Sequence, residues 1–185
     1  SVITQYEMRA VEDLGLLKID LLGLANLTII ENTLKLIDKI HGLKINMDEI
    51  PFDDKETFRL LREAKTTGVF QLESSGMKRY LKELKPNRFE DVCEMITIYR
   101  PGAMELIPEF IARKHGRRKI EYLHPKLEPI LKETYGIMIY QEQLIKAVQV
   151  LAGFTLAEAD VLRKAVGKKI RKLLMEQDVK FMEGA

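Results

Sequence analysis

Asp20 closes the run Leu14-Gly15-Leu16-Leu17-Lys18-Ile19-Asp20 and is followed by Leu21-Leu22-Gly23-Leu24. If residues 14 to 20 form a strand, side chains alternate between its faces, so Lys18 and Asp20 project the same way about 6.5 Å apart. A cation and a carboxylate then share one wall. That pairing suits a site that handles a polyphosphate with its metal: a lysine offers a point charge to phosphate oxygens while a carboxylate holds Mg2+. The same spacing also describes a surface salt bridge on an exposed strand.

Far downstream, six basic residues fall between 163 and 172 with no acid among them: Arg163, Lys164, Lys168, Lys169, Arg171 and Lys172. A second cluster, Arg113, Lys114, Arg117, Arg118 and Lys119, surrounds Gly116. Both have the form of an electrostatic footprint for a polyanion, and both also fit a solvated face. Gly167 is expected to end a helix as its C-terminal glycine, with Arg163 and Lys164 in the last turn and Lys168-Lys169 opening the next segment. Such a turn gathers four cations. Arginine can bind phosphate oxygens in bidentate fashion and lysines add mobile charge; complementing a helix C-terminus accounts for the same residues.

Arg100 lies between Tyr99 and Pro101, where a helix must stop, so its side chain can project from a rigid corner or simply accompany a helix terminator. Gln141 and Glu142 open a helix, a place for ligand contacts and equally for dipole complementation by the glutamate. Ser74 reads as a helix cap, because the segment around it lacks both Gly-x-x-x-x-Gly-Lys and Gly-x-Ser-x-Gly.

The elements that must position these residues are mostly helical. Apolar residues at helical spacing run through 24 to 40 and stop at His41-Gly42; further helices are expected near 53 to 64, 77 to 84, 89 to 99, 104 to 114, 125 to 132, 141 to 151, 156 to 166 and 170 to 181. Strand is expected in the first twenty or so residues and in short pieces at 43 to 45, 69 to 71 and 136 to 140. The fold class is therefore mainly α, an irregular multi-helix domain with a short β element near its start. The best internal boundary is Gly23.

Composition sets the outer bounds. The 185 residues, 46% of them hydrophobic, suffice for a real core, and the net charge of +2 says less than its uneven distribution. Cys93 is the only cysteine, which excludes an internal disulfide and a multi-cysteine zinc site. His41, His115 and His124 have no helical pairing and receive no chemistry. The apolar runs are short and interrupted by charge, and the N-terminus lacks signal-peptide organisation, so no membrane span and a cytoplasmic location are expected.

The segment from Gly15 to Leu24 closely resembles the motif that carries the third catalytic aspartate of bacterial DNA polymerase III alpha subunits, the C-family replicative polymerases. Further similar stretches follow in order: Thr67-Gly68-Val69-Phe70-Gln71-Leu72-Glu73-Ser74, Tyr99-Arg100-Pro101-Gly102, Thr134-Tyr135-Gly136-Ile137 with Tyr140-Gln141-Glu142-Gln143, and Ala159 through Lys169. The resemblance implies that residues 1 to 23 end a palm domain and that 24 to 185 form part of the fingers. It implies a DNA-directed DNA polymerase adding dNTPs to a primer 3' end by two-metal chemistry in bacterial chromosome replication. Asp20 is then the catalytic carboxylate and Mg2+ ligand, and Lys18, Arg100, Gln141, Arg163, Lys164, Lys168 and Lys169 hold the incoming dNTP. Primer-template DNA and, through the full-length chain, other replicative holoenzyme subunits are the implied partners, with a bacterial cytoplasmic location. The family's other two aspartates form an Asp-x-Asp pair, and none precedes Asp20, so catalysis by this chain alone is not expected. The family more often has Arg where Lys164 stands and Pro where Ala103 stands. A reading from a different class is a non-catalytic helical nucleic-acid-binding or interaction domain.

Overall fold

The computed structural model describes residues 2–17, 19, 21 and 23–185. These form two compact units, Ser1–Ile50 and Pro51–Ala185.

Among the described residues the first unit holds two α-helices, α1 (Met8–Asp13) and α2 (Ala25–His41), and a 3-10 turn, Met47–Glu49. Gly15, at φ 83°, closes α1: its amide reaches Glu12 O at 2.9 Å and the next amide reaches Val11 O at 3.3 Å, the double closure of a Schellman turn. Gly42 closes α2 in the same left-handed region, donating to Asp38 O at 2.8 Å, where the sequence places the stop. The expected β element is not seen. Among the described residues no strand forms at 14 to 20, nor at 43 to 45, 69 to 71 or 136 to 140. The physical reason is that a strand is stabilised by a hydrogen-bonded partner, and no described segment supplies one. Leu14, Leu16 and Leu17 accordingly remain exposed.

The second unit is a succession of helices: α3 (Lys55–Arg62), α4 (Ser75–Leu84), α5 (Phe89–Ile98), α6 (Ile107–Lys114), α7 (Glu128–Leu131), α8 (Gln141–Ala152), α9 (Leu156–Gly167) and α10 (Arg171–Gly184). Asp54 Oδ1 accepts from Thr57 N at 2.7 Å to start α3, and Ser74 Oγ accepts from Met77 N at 3.3 Å to start α4, each satisfying an orphan amide of the first turn. The segment expected as one helix at 125 to 132 is a 3-10 turn, Pro125–Leu127, followed by the single turn of α7. Pro125 and Pro129 suit first-turn positions and withhold two amides from a longer ladder.

Three apolar clusters hold this unit. The largest joins α3 to α6 through residues such as Leu81, Met95, Ile98 and Phe110, all fully buried. Each such side chain contributes about 1.5–3 kcal/mol of transfer free energy. Val148, Ala152, Phe154 and Ala159 join α8 to α9, with Phe181 of α10 packed on them. Leu127, Leu131 and Ala147 fix α7 against α8.

Beside the first cluster lies a buried ionic network. Asp91 receives Lys114 Nζ at 2.8 Å, Arg88 Nε at 3.1 Å and the Asn87 amide at 3.0 Å, while Glu94 receives Arg88 Nη2 at 3.2 Å. Arg88 also donates to Glu133 O at 2.7 Å, and its guanidinium lies over the Tyr135 ring, so the network ties α5 and α6 to the turn after α7.

Candidate functional site

The start of α8 is fixed from below by Gln143. Its Oε1 accepts from Ile139 N at 2.8 Å and Tyr140 N at 3.0 Å, and its Nε2 donates to Thr134 Oγ1 at 2.8 Å and Ile130 O at 3.3 Å. Both halves of the amide are used, which makes Gln143 a structural brace between α7 and α8. Gln141 and Glu142 are left on the exposed side of that first turn.

α9 begins with a capping box. Thr155 N donates to Glu158 Oε2 at 2.8 Å and Glu158 N to Thr155 Oγ1 at 3.4 Å, while Glu158 also pairs with Lys180 of α10. These contacts hold the Glu158 carboxyl down at about 2, the Lys180 contribution being the largest. With Ala159 and Ala165 buried, α9 turns its charged side outward. There Asp160 Oδ1 receives Arg163 Nε at 2.8 Å and Asp160 Oδ2 receives Lys164 Nζ at 2.8 Å. Arg163 Nη1 continues to Gln141 Oε1 on α8 at 3.2 Å. Two expected site residues from separate segments therefore meet directly, and Lys164 joins them through Asp160. The Lys164 hydrogen bond, then that of Arg163, holds the Asp160 carboxyl below its ordinary range, so this acid stays charged at neutral pH.

The turn after α9 differs from expectation. Gly167 is the last residue of the helix and does not take a left-handed conformation; Lys169 does, at φ 53°. Lys169 N donates to Val166 O at 3.2 Å and Ile170 N to Ala165 O at 3.0 Å, a Schellman closure with lysine where glycine is usual. The closing residue falls two positions beyond Gly167, which is itself helical and cannot also be the left-handed residue of the turn. Lys168 and Lys169 are both exposed, and no ion pair involves either among the described residues.

Arg100 follows the end of α5. Its amide donates to Ile98 O at 2.7 Å, its carbonyl accepts from Ala103 N and Met104 N at 3.1 Å, and Gly102 takes φ 94°, so the corner is built by backbone. The Arg100 side chain is exposed and, among the described residues, forms no hydrogen bond with Gln141 or Arg163. Lys18 and Asp20 lie outside the described residues. The second basic cluster is divided: Arg113 pairs with Glu109 at 2.6 Å and Lys114 is buried on Asp91, both taken up by the fold, while Arg117, Arg118 and Lys119 stay exposed, Arg118 on Glu109 at 2.6 Å.

Two participants escaped the sequence reading. Asp160 had a visible signal, since an acid three and four residues before two bases places all three on one helix face. The bracing role of Gln143 had none, because its partners belong to the preceding turn. Among the described residues no three of His, Cys, Asp and Glu come together in a way that could hold a metal ion, and no helix is long and apolar enough to cross a membrane.

Residues 26–185 match the finger domain of the bacterial DNA polymerase III alpha subunit. The chain is 52% identical over 186 residues to the DNA polymerase III subunit alpha of Aquifex aeolicus, covering 100% of the chain and 16% of that protein. It is 49% identical over 183 residues to the protein of the same name in Halalkalibacterium halodurans, covering 99% of the chain and 16% of that protein. With the Staphylococcus aureus (strain COL) protein the identity is 50% over 184 residues, covering 100% of the chain and 17% of that protein. The chain thus spans only 16–17% of the length of the curated relatives it matches.

Proposed function

This chain belongs to the family of bacterial DNA polymerase III alpha subunits, as its finger domain, and from that premise we propose that the outward side of α8 and α9 holds the triphosphate of an incoming dNTP. The observation that carries the reading is the Gln141–Arg163 contact at 3.2 Å, with Lys164 drawn in through Asp160. An arginine fixed by neighbours on two helices is a pre-organised donor, and an exposed pair of lysines one turn later adds charge against a ligand carrying about four negative charges. Arg100 contributes from the corner after α5 as a contact to nucleotide or template.

In the whole protein this domain serves a DNA-directed DNA polymerase that extends a primer on a DNA template in bacterial chromosome replication, in the cytoplasm and in company with other holoenzyme subunits. Residues 1 to 23 contribute the end of the palm and residues 24 to 185 the fingers. Asp20 is the candidate ligand for Mg2+, completed by carboxylates outside this chain, with Lys18 beside it. A single carboxylate leaves hydrated Mg2+ weakly held, so the isolated chain does not catalyse.

The test is steady-state incorporation by the full-length relative carrying these substitutions. Arg163→Ala should raise KM for dNTP, and Asp20→Asn should remove most incorporation while DNA binding persists. Normal KM in the first variant refutes the grip; near-normal turnover in the second refutes the metal role.

A further inference from the structure

Asp160 lies one helical turn before Arg163 and Lys164, and each of its oxygens is occupied by one of them at 2.8 Å. The two cations are held unequally. Arg163 has a second acceptor, Gln141 on α8, and its side chain is 30% exposed; Lys164 has a single acceptor among the described residues, and its side chain is 57% exposed. An exposed ion pair with a single partner is weakly held, so the Lys164 contact is the one that gives way first. An arriving polyphosphate meets two cations already paired with a carboxylate of its own charge sign. The two anions repel each other across the shared cations, and the weaker hold is the one open to exchange.

We propose that Asp160 is a displaceable counter-ion. It keeps Arg163 aligned, yields Lys164 to an incoming polyphosphate and recovers Lys164 when the anion leaves, so it limits how tightly the cluster holds that anion. This rests on the triphosphate-holding role given to the cluster above. The arrangement has a kinetic sense, because holding substrate and product phosphates tightly in the ground state does not raise turnover. A carboxylate that recaptures a lysine also speeds release of a polyphosphate product.

The inference is tested by titrating sodium tripolyphosphate into the 185-residue chain at fixed ionic strength, with thermal melts on the same samples. Asp160→Asn and Asp160→Ser should each tighten binding about two- to fivefold, the upper part of the range of one exposed ion pair, while Asp160→Glu stays within about twofold of the wild type. A purely structural Asp160 gives the reverse sign, since loosened cations bind the anion less well. Weaker or unchanged binding in both neutral variants therefore overturns the inference, as does unfolding of both. Arg163→Ala separates this claim from its premise. Loss of tripolyphosphate binding there, without a gain in the Asp160 variants, removes only the counter-ion; unaltered binding there removes the grip and the counter-ion with it.

Discussion

Arg163 and Gln141, 22 residues apart in sequence, meet at 3.2 Å and connect the exposed side of α9 to the first turn of α8. The contact fixes the direction of the guanidinium, because Nε is already committed to Asp160. Gln141→Ala leaves the charge in place and removes only the second anchor. It should weaken dATP binding about two- to threefold with stability changed by less than about 0.5 kcal/mol, as expected for a solvent-exposed surface contact. Equal affinity for dATP in the variant, read by equilibrium titration, would show that Arg163 needs no such anchor.

Lys169 stores strain in the turn that presents it. A non-glycine residue at φ 53° costs roughly 1 kcal/mol relative to glycine, and the Schellman closure offers no side-chain compensation among the described contacts. Lys169→Gly should therefore stabilise the chain by about 1 kcal/mol in urea unfolding while lowering its affinity for polyphosphate. Destabilisation would mean that the lysine makes a fold contact of its own.

Gly76 is required by Tyr99. A Cβ at position 76 would run into the Tyr99 hydroxyl, and that ring is held edge-on to Tyr80 at 6.0 Å and packed on the main core. Gly76→Ala should cost about 1–3 kcal/mol, the usual price of overpacking, despite the better helix propensity of alanine. Tyr99→Phe in the same chain should restore most of the loss. A double variant no more stable than Gly76→Ala alone contradicts this cause.

Glu94 makes stability depend on pH near neutrality. Burial above all lifts its carboxyl to about 7, aided by Asp91 and Glu90 and opposed by Arg88 and Lys114. Because the folded value lies above the ordinary 4.5, the folded chain binds more protons between these values, and stability falls as pH rises from about 4.5 through 7. The loss is on the order of 3 kcal/mol at most. Asp160 and Glu158, held below their ordinary values, act in the opposite sense only at acid pH, where their contribution is lost. Glu94→Gln should flatten the decline between pH 5 and 8 and leave the acid limb intact. An unchanged pH profile would place the sensitivity elsewhere.

Most of the second unit was legible from local rules. Periodic apolar residues with a cap such as Ser74, or a stop such as Pro86, define helices whose stability is largely decided within one or two turns. The misread elements are those decided by something distant. Among the described residues of 14 to 20 no strand forms, because a strand exists only with a partner. Gly167 has the freedom to close α9, yet the helix runs through it and the turn closes two residues later, with Lys169 in the left-handed role. The site shows the same division: Asp160, Arg163 and Lys164 could be placed on one face by counting, while their approach to Gln141 depends on how Val148, Ala152 and Phe154 pack α8 against α9.

The claim that this face of α8 and α9 receives a nucleotide triphosphate is tested most directly by following side-chain N–H resonances during a dATP titration of the 15N-labelled chain. The Arg163 Nε–H signal should shift saturably, and the shift should diminish as salt is raised. A silent Arg163 signal at dATP concentrations that saturate shifts elsewhere in the chain would contradict the account.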